Sequence, residues 1–422
     1  MNIAVLGSTS SFHHLAQVLE KESIVHHFGA PKTEVARANY IPITKELPPD
    51  SAVDSQMEEF LNYSKDIKLD FVLATGLPIP LNKRIHAGLR ERQVPYFFVN
   101  PSFIELERNK PLTKQMLTKL NIPTPGFKKV DGKYLFDNFE DIPRPFVIKL
   151  CYIYQYGKQT IIVNDNNWLE VYHDLFSTRL FGEYRITNIK YEAMVIIEDY
   201  IELEEEYSYH ALYNKENWKY LGSGRDYKKL NEGDTGPNTA GLGCYNVTDV
   251  NSVVHTYADK IYNFLKQYLA PTNDYYKGFI FLGIGVGKDG IPYVLEINTR
   301  NGDPELQCIL GSIENNLSNL FYAASADLPI PDIIHNNKST VTVRVFNKTY
   351  DWSRKPSFLP KFENVPSDII HGIEGVEQFY LKHSVFTTTA DTREEAATKI
   401  YKYLDTQHIG QFTYRRDIGL LK

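Results

Sequence analysis

Cysteine is scarce: Cys151, Cys244 and Cys308 are the only three in 422 residues. Three thiols with no CxxC pair build neither a disulfide framework nor a cysteine metal centre, and a reducing cytoplasm is the expected compartment. A surplus of positive charge is missing too. The formal net charge is −6, so no global field draws nucleic acid. No apolar run approaches the roughly 18 residues of a membrane span. The opening MNIAVLGSTSS lacks a basic segment followed by a long apolar core, so neither a leader nor a membrane partner is expected. Closely spaced glycines occur in GIGVGKDG, but they run into the hairpin signal Lys288-Asp289-Gly290 and not into a helix, which excludes a dinucleotide fingerprint.

What is present is a globular composition, 42% hydrophobic and 23% charged. The length calls for more than one domain. Ile3–Leu6, Asp70–Ala74 and Tyr96–Val99 read as buried strands. Helical patterns run from about Phe12 to Lys21 and from Asn82 to Glu91. This alternation predicts an open parallel α/β layer. A helix carrying Lys114 and Met116 follows Asn109-Lys110-Pro111. Strands are expected at Phe146–Lys149, Thr160–Val163, Met194–Asp199, Phe279–Val286, Ile291–Ile297, Thr340–Phe346 and Ser384–Thr389. Apolar spacing predicts a helix over Arg393–Leu404. The acidic run after Met194–Asp199 is either a solvated face or a hinge that touches a ligand.

Two segments carry chemistry. The first is VLEINTRNGDPELQ, Val294 to Gln307. Strand alternation puts Glu296, Asn298 and Arg300 on one face. An acid, an amide oxygen and a fixed cation there suit a hard metal and the phosphate it escorts, because magnesium takes oxygen ligands and often only one or two carboxylates. The plainer reading is a surface ion pair beside a turn. The second segment is RDYKKLNEGDTGPNTAGLGCY, Arg225 to Tyr245. Its glycines let backbone approach a ligand, and successive N–H groups can cradle an anion. It is expected to be a long functional loop without structure of its own.

These two segments resemble the signatures of glycinamide ribonucleotide synthetases, members of the ATP-grasp superfamily. ERNKPLTKQML (Glu107 to Leu117) resembles the opening of that family's ATP-grasp region, and FTYRRDIG resembles its closing motif. The resemblance implies an α/β and α+β protein with an ATP-grasp fold. It implies an N-terminal open parallel α/β domain at 1–100, an ATP-grasp domain at 101–330 with a lid around 120–200, and a small C-terminal α+β domain at 331–422. It also implies amide formation from glycine and phosphoribosylamine through an acyl phosphate, with ATP and magnesium or manganese. The partners would be small molecules, an amino acid and an amine; monomer and dimer both stay open.

By the same resemblance Glu296 and Asn298 would hold the metal. Of the catalytic candidates, Arg300 would steady the phosphoryl group and the acyl phosphate, Asp303 would lie at the same site edge, and Asp234 and Asn238 stand on a loop that would enclose the amino-acid and phosphate region. Lys110, Lys149, Lys158, Glu198, Asp199, Tyr200 and Glu206 would hold the nucleotide. Gly7, Ser8, Asp226, Thr235, Gly236, Pro237, Thr239 and Glu305 would line the other substrates. Departures cluster at the amine side. Where the family has Gly-Gly-Arg-Glu-His after its first strand, this chain has Thr9-Ser10-Ser11-Phe12-His13, so the arginine is lost. Its Gly-Pro-Glu-x-Pro-Leu becomes Gly76-Leu77-Pro78-Ile79-Pro80-Leu81. The phosphate-covering loop is CYIYQYGKQT, and the family's late Gly-Gly-Arg stretch is missing.

Overall fold

The computed structural model describes residues 1–7, 9–29, 39–41, 57–74, 83–151, 160–173, 175–176, 194–269, 275–348, 360–374 and 383–420. Ser8, Lys158 and the segment 76–81 lie outside them. The chain forms two compact units, one of 1–104, 207–281 and 299–422, the other of 105–206 and 282–298.

The first unit opens with a five-stranded sheet whose pairings are all parallel. Its central strand, Asn2–Gly7, is buried from Ile3 onward, as a strand covered on both faces should be. The following helix, Ser10–Leu19, is buried at nine of its ten positions, which its apolar spacing alone did not foretell. An antiparallel run joins Leu203–Tyr213, Trp218–Asp226, Gly243–Val247, Ser339–Asn347, His383–Ala390 and Ile369–Glu374 in that order. Helix Arg393–Leu404 starts at the Thr392 hydroxyl, which accepts from Glu395 N. It packs Ala396, Ala397, Ile400 and Leu404 onto Val341, Val343 and Phe386. The end FTYRRDIGLL reads as strand-like, but only Phe412–Thr413 pairs; the charged residues beyond it form side-chain ion pairs instead.

In the second unit a four-stranded sheet runs Phe127–Asp131, Met194–Asp199, Phe146–Leu150 and Thr160–Val163. Its core gathers Leu135, Phe139, Ile148, Val163 and Val195. Helix Lys110–Lys119 begins at Asn109, whose side chain accepts from Leu112 N. Pro111 sits in its first turn, where no backbone donor is needed. The strand Pro292–Asn298 closes this unit.

Candidate active site

Within the second unit, three lysines and two carboxylates converge. Lys110 and Lys114 are four apart on one helix and so share a face. Lys149 lies opposite Ile196 in the register of Phe146–Leu150 against Met194–Asp199. Glu198, two residues on from Ile196, is therefore its diagonal neighbour on the same face. The Glu198 carboxylate gives one oxygen to each lysine, Oε1 to Lys114 Nζ and Oε2 to Lys149 Nζ, both at 3.0 Å, with all three side chains almost fully buried. Lys149 Nζ also donates to the Leu295 carbonyl at 2.7 Å. Lys114 Nζ donates to Thr124 Oγ1 at 2.7 Å, and that hydroxyl donates to the Val294 carbonyl at 2.8 Å. Both lysines thus fix the strand just ahead of Glu296. Burial and the charge of Lys149 push the Lys114 ammonium down to about 7, against the pull of Glu198.

Glu296 and Asn298 share a face as the alternation predicts: Asn298 Nδ2 donates to Glu296 Oε1 at 3.1 Å. Lys110 Nζ stands 3.8 Å from Glu296 Oε2, and the Glu296 side chain keeps 30% of its surface exposed. Among the described residues no group of three or more His, Cys, Asp or Glu side chains forms a metal cage. A carboxylate and a carboxamide alone suit magnesium, which draws its remaining ligands from water and substrate phosphate. Arg300 corrects the expectation. The strand ends at Asn298, and the backbone bends toward the turn that opens helix Glu305–Leu310. Arg300 is part of that bend and belongs to the first unit. There its Nη1 donates to the Asn301 carbonyl at 3.2 Å and its guanidinium stands 5.5 Å from the Phe281 ring. His210 stacks on the same ring, centroids 5.0 Å apart. Burial, then Arg300, holds that imidazole down at about 3.

Of the other nucleotide candidates, Asp199 points away from Glu198; its carboxylate lies against Gly126 and leaves no room for a side chain there. Tyr200 is exposed, and Glu206 is an exposed position on Leu203–Tyr213.

The Gly-rich segment of the first unit is not the structureless loop expected. Lys229–Asn231 pairs with Thr235–Asn238 as a hairpin, because Gly233 and Asp234 both take the left-handed backbone that a tight turn demands. The Asp234 carboxylate accepts from Arg415 Nη2 at 3.0 Å, and Gly233 N donates to Asp417 at 2.9 Å. The closing motif therefore anchors the hairpin. Thr235, Gly236 and Pro237 are exposed on its returning strand, Asn238 half-buried, and Thr239 buried. The Thr239 hydroxyl donates to the Lys228 carbonyl at 2.8 Å. A side chain at Gly241 would meet the Asp226 carboxylate at 2.7 Å. Cys244 in this segment and Cys308, the residue just past Gln307, have Sγ atoms 3.0 Å apart. Burial pushes the Glu305 carboxyl up.

Asp303 is held at the N-terminus of helix Ser10–Leu19. Ser10 Oγ donates to it at 2.8 Å, Ser11 N at 3.2 Å, Gln307 Nε2 at 3.0 Å and Arg344 Nη2 at 2.9 Å. Burial opposes its charge, but Arg344 and these donors outweigh it and hold the carboxyl below its usual range. Gly7 ends the first strand, and its carbonyl is paired with His27 Nε2 at 2.9 Å. Sequence reasoning passed over Lys114, His210 and Arg344. Lys114 had a signal in its four-residue spacing from Lys110, and Arg344 in being an arginine within an otherwise apolar and threonine strand. His210 had none.

The phosphoribosylglycinamide synthetase ATP-grasp (A) domain matches residues 108–306. Phosphoribosylamine–glycine ligases of Streptococcus suis and Streptococcus pneumoniae are 28% and 27% identical to the chain, each alignment covering 99% of both proteins. The crystal structure of the Thermotoga maritima phosphoribosylamine–glycine ligase superposes with a TM-score of 0.74 at 22% identity, covering 99% of this chain and all of that one. The chain therefore carries the ATP-grasp fold, and its residues 108–306 are similar to that synthetase domain.

Proposed function

We propose that the chain is a phosphoribosylamine–glycine ligase that uses ATP with magnesium or manganese, a soluble cytoplasmic enzyme of purine biosynthesis, acting as monomer or dimer. The observation that carries this is the second unit's cluster, where Lys110, Lys114 and Lys149 stand against the carboxylates of Glu198 and Glu296. An excess of ammonium groups beside an oxygen-only donor pair is what a metal–triphosphate would complete. In the first step a glycine carboxylate oxygen attacks the γ-phosphorus and ADP leaves. In the second the amine attacks the acyl carbon, the C–N bond forms, the C–O bond to phosphate breaks, and the amine gives up a proton. A bound magnesium ion, held by Glu296 and Asn298, would neutralise charge on the phosphoryl oxygens. Lys110 and Lys149 offer ammonium groups to the phosphates, with Lys158 on the covering loop. Asp199 and Tyr200 offer the adenine edge, Glu206 the ribose. Arg300 steadies the acyl phosphate, and Thr235 and Gly236 with Asn238 offer donors to the amino acid, while Pro237 shapes that strand. Asp234, Asp226, Thr239 and Glu305 position that hairpin and its neighbour helix, while Gly7, Ser8 and Asp303 shape the amine side.

One observation favours a second reading with the same activation chemistry and a different amine. Where the family turn supplies an arginine, this chain has Ser11; the Ser10 hydroxyl and the Ser11 N–H are engaged by Asp303, and the Ser11 hydroxyl by Thr9 and Asn301. A coupled ADP assay across amino acids, with phosphoribosylamine generated in place and other amines alongside, separates the two. Turnover requiring both glycine and phosphoribosylamine supports the first reading. Turnover with glycine only when a non-phosphorylated amine is supplied overturns it in favour of the second.

A further inference from the structure

Glu198 is nearly inaccessible to water, and its two oxygens are divided between Lys114 and Lys149, each at 3.0 Å. A carboxylate so placed is tolerated only while it keeps a cation, since removing one partner strands the other as an uncompensated buried charge. Lys149 is also the lysine proposed to serve nucleotide phosphates. Its ammonium has three N–H donors, two of them given to Glu198 and the Leu295 carbonyl, so fuller contact with phosphate comes at the expense of its hold on Glu198. Lys114 has no such double duty. Its second contact, Thr124 Oγ1, is neutral and is itself tied to the Val294 carbonyl, so the ammonium is fixed where it stands.

We propose that Lys114 is the standing counter-ion of Glu198, and that it is a positioning residue which lets Lys149 turn to the nucleotide phosphate without leaving a buried carboxylate unpaired. It acts through Lys149 and does not itself contact phosphate. Withdrawal of Lys149 also relieves the repulsion that, with burial, depresses the Lys114 ammonium, so its charge strengthens as nucleotide binds. Without Lys114, Glu198 would compete with ATP for Lys149. The inference rests on the nucleotide reading of this lysine cluster.

The test is equilibrium binding of a fluorescent ATP analogue to the full-length protein, with thermal melts alongside. Lys114→Met keeps the side-chain volume, and it should weaken nucleotide binding roughly tenfold or more, the ratio that about 1.4 kcal/mol represents. It should raise KM for ATP more than it lowers kcat. Lys114→Arg should restore most of the affinity. The double variant Lys114→Met/Glu198→Gln should bind better than Lys114→Met alone, because the competing carboxylate is gone. Should Lys114→Met fail to fold, Lys114→Gln and the double variant carry the comparison. Unchanged affinity in a folded Lys114→Met, or a double variant that binds worse than the single, overturns the proposal. Absence of nucleotide binding by the unmodified protein would instead overturn the functional reading beneath it.

Discussion

The two polar clusters differ in how their charge is closed. In the second unit three ammonium groups share two carboxylates, and Glu296 is still 30% exposed. That arrangement has positive charge in hand for an incoming polyanion. In the first unit Asp303 is matched by Arg344 and wrapped by Ser10, Ser11 and Gln307. Its charge is balanced inside the protein. The contrast teaches that retained motifs and retained readiness go together. The unit holding Lys110, Lys149, Glu296 and Asn298 resembles the family and has charge to offer. The turn that lost the family's arginine has spent its donors on an internal carboxylate.

The largest expected effect comes from breaking that internal balance. Arg344→Met leaves Asp303 buried without its cation and should cost about 3–5 kcal/mol of stability, measured by chemical denaturation. Asp303→Asn added to it should recover much of the loss. If Arg344→Met is neutral, the Asp303 network is not a closed charge pair and the contrast fails. Next in size, Glu296→Gln should lower turnover roughly 10²–10³-fold, as loss of a preorganised charge partner does. Its melting temperature should stay close to that of the parent, since Glu296 is partly exposed.

Acid should separate the two units. His13, His14, His27, His371 and His383 are all buried in the first unit, whereas the second has no buried histidine among its described residues. Burial holds His14 and His383 down at about 3 and His27 and His371 at about 4. His13 is lowered by burial and then by His27 and His371, and its Nδ1 is occupied by the Ile373 N–H at 2.9 Å. Each is neutral when folded and gains a proton on unfolding once the pH is below the ordinary value of 6.5. Their stabilisation is therefore full above that value and shrinks as pH falls toward 3–4, by roughly 1–2 kcal/mol per group at pH 5. Denaturation followed by unit-specific fluorescence, Trp218 for the first unit and Trp168 for the second, should show the first weakening from pH 7 to 5. Equal loss in both would remove the distinction. The smallest effect is Thr124→Val, which breaks the link from Lys114 to the Val294 carbonyl and should cost about 1 kcal/mol, with a mild rise in KM for ATP.

Much of the fold was legible because period and punctuation were clean. Thr160–Val163, Met194–Asp199 and Arg393–Leu404 stand at the residues the patterns marked. The parallel first sheet followed from strand–helix alternation. Less legible was anything settled by long-range partners. The hairpin at Lys229–Asn238 hides in a segment of turn residues, and Arg415, far along the chain, is what ties down Asp234. The alternation that joined Glu296 to Asn298 was sound, but it could not show that the strand stops before Arg300. Lys114 looked like an ordinary helix lysine because its partner Glu198 lies far along the chain, where an acidic run reads equally as a solvated face or a ligand hinge.

The central claim is that the second unit's cluster activates a carboxylate by phosphoryl transfer. Glycine labelled with ¹⁸O in its carboxylate, incubated with MgATP and phosphoribosylamine, tests this most directly through the isotopic content of the released phosphate. Transfer of one labelled oxygen to each phosphate is the predicted result. Phosphate released without the label would mean that glycine is never phosphorylated, and would contradict the account.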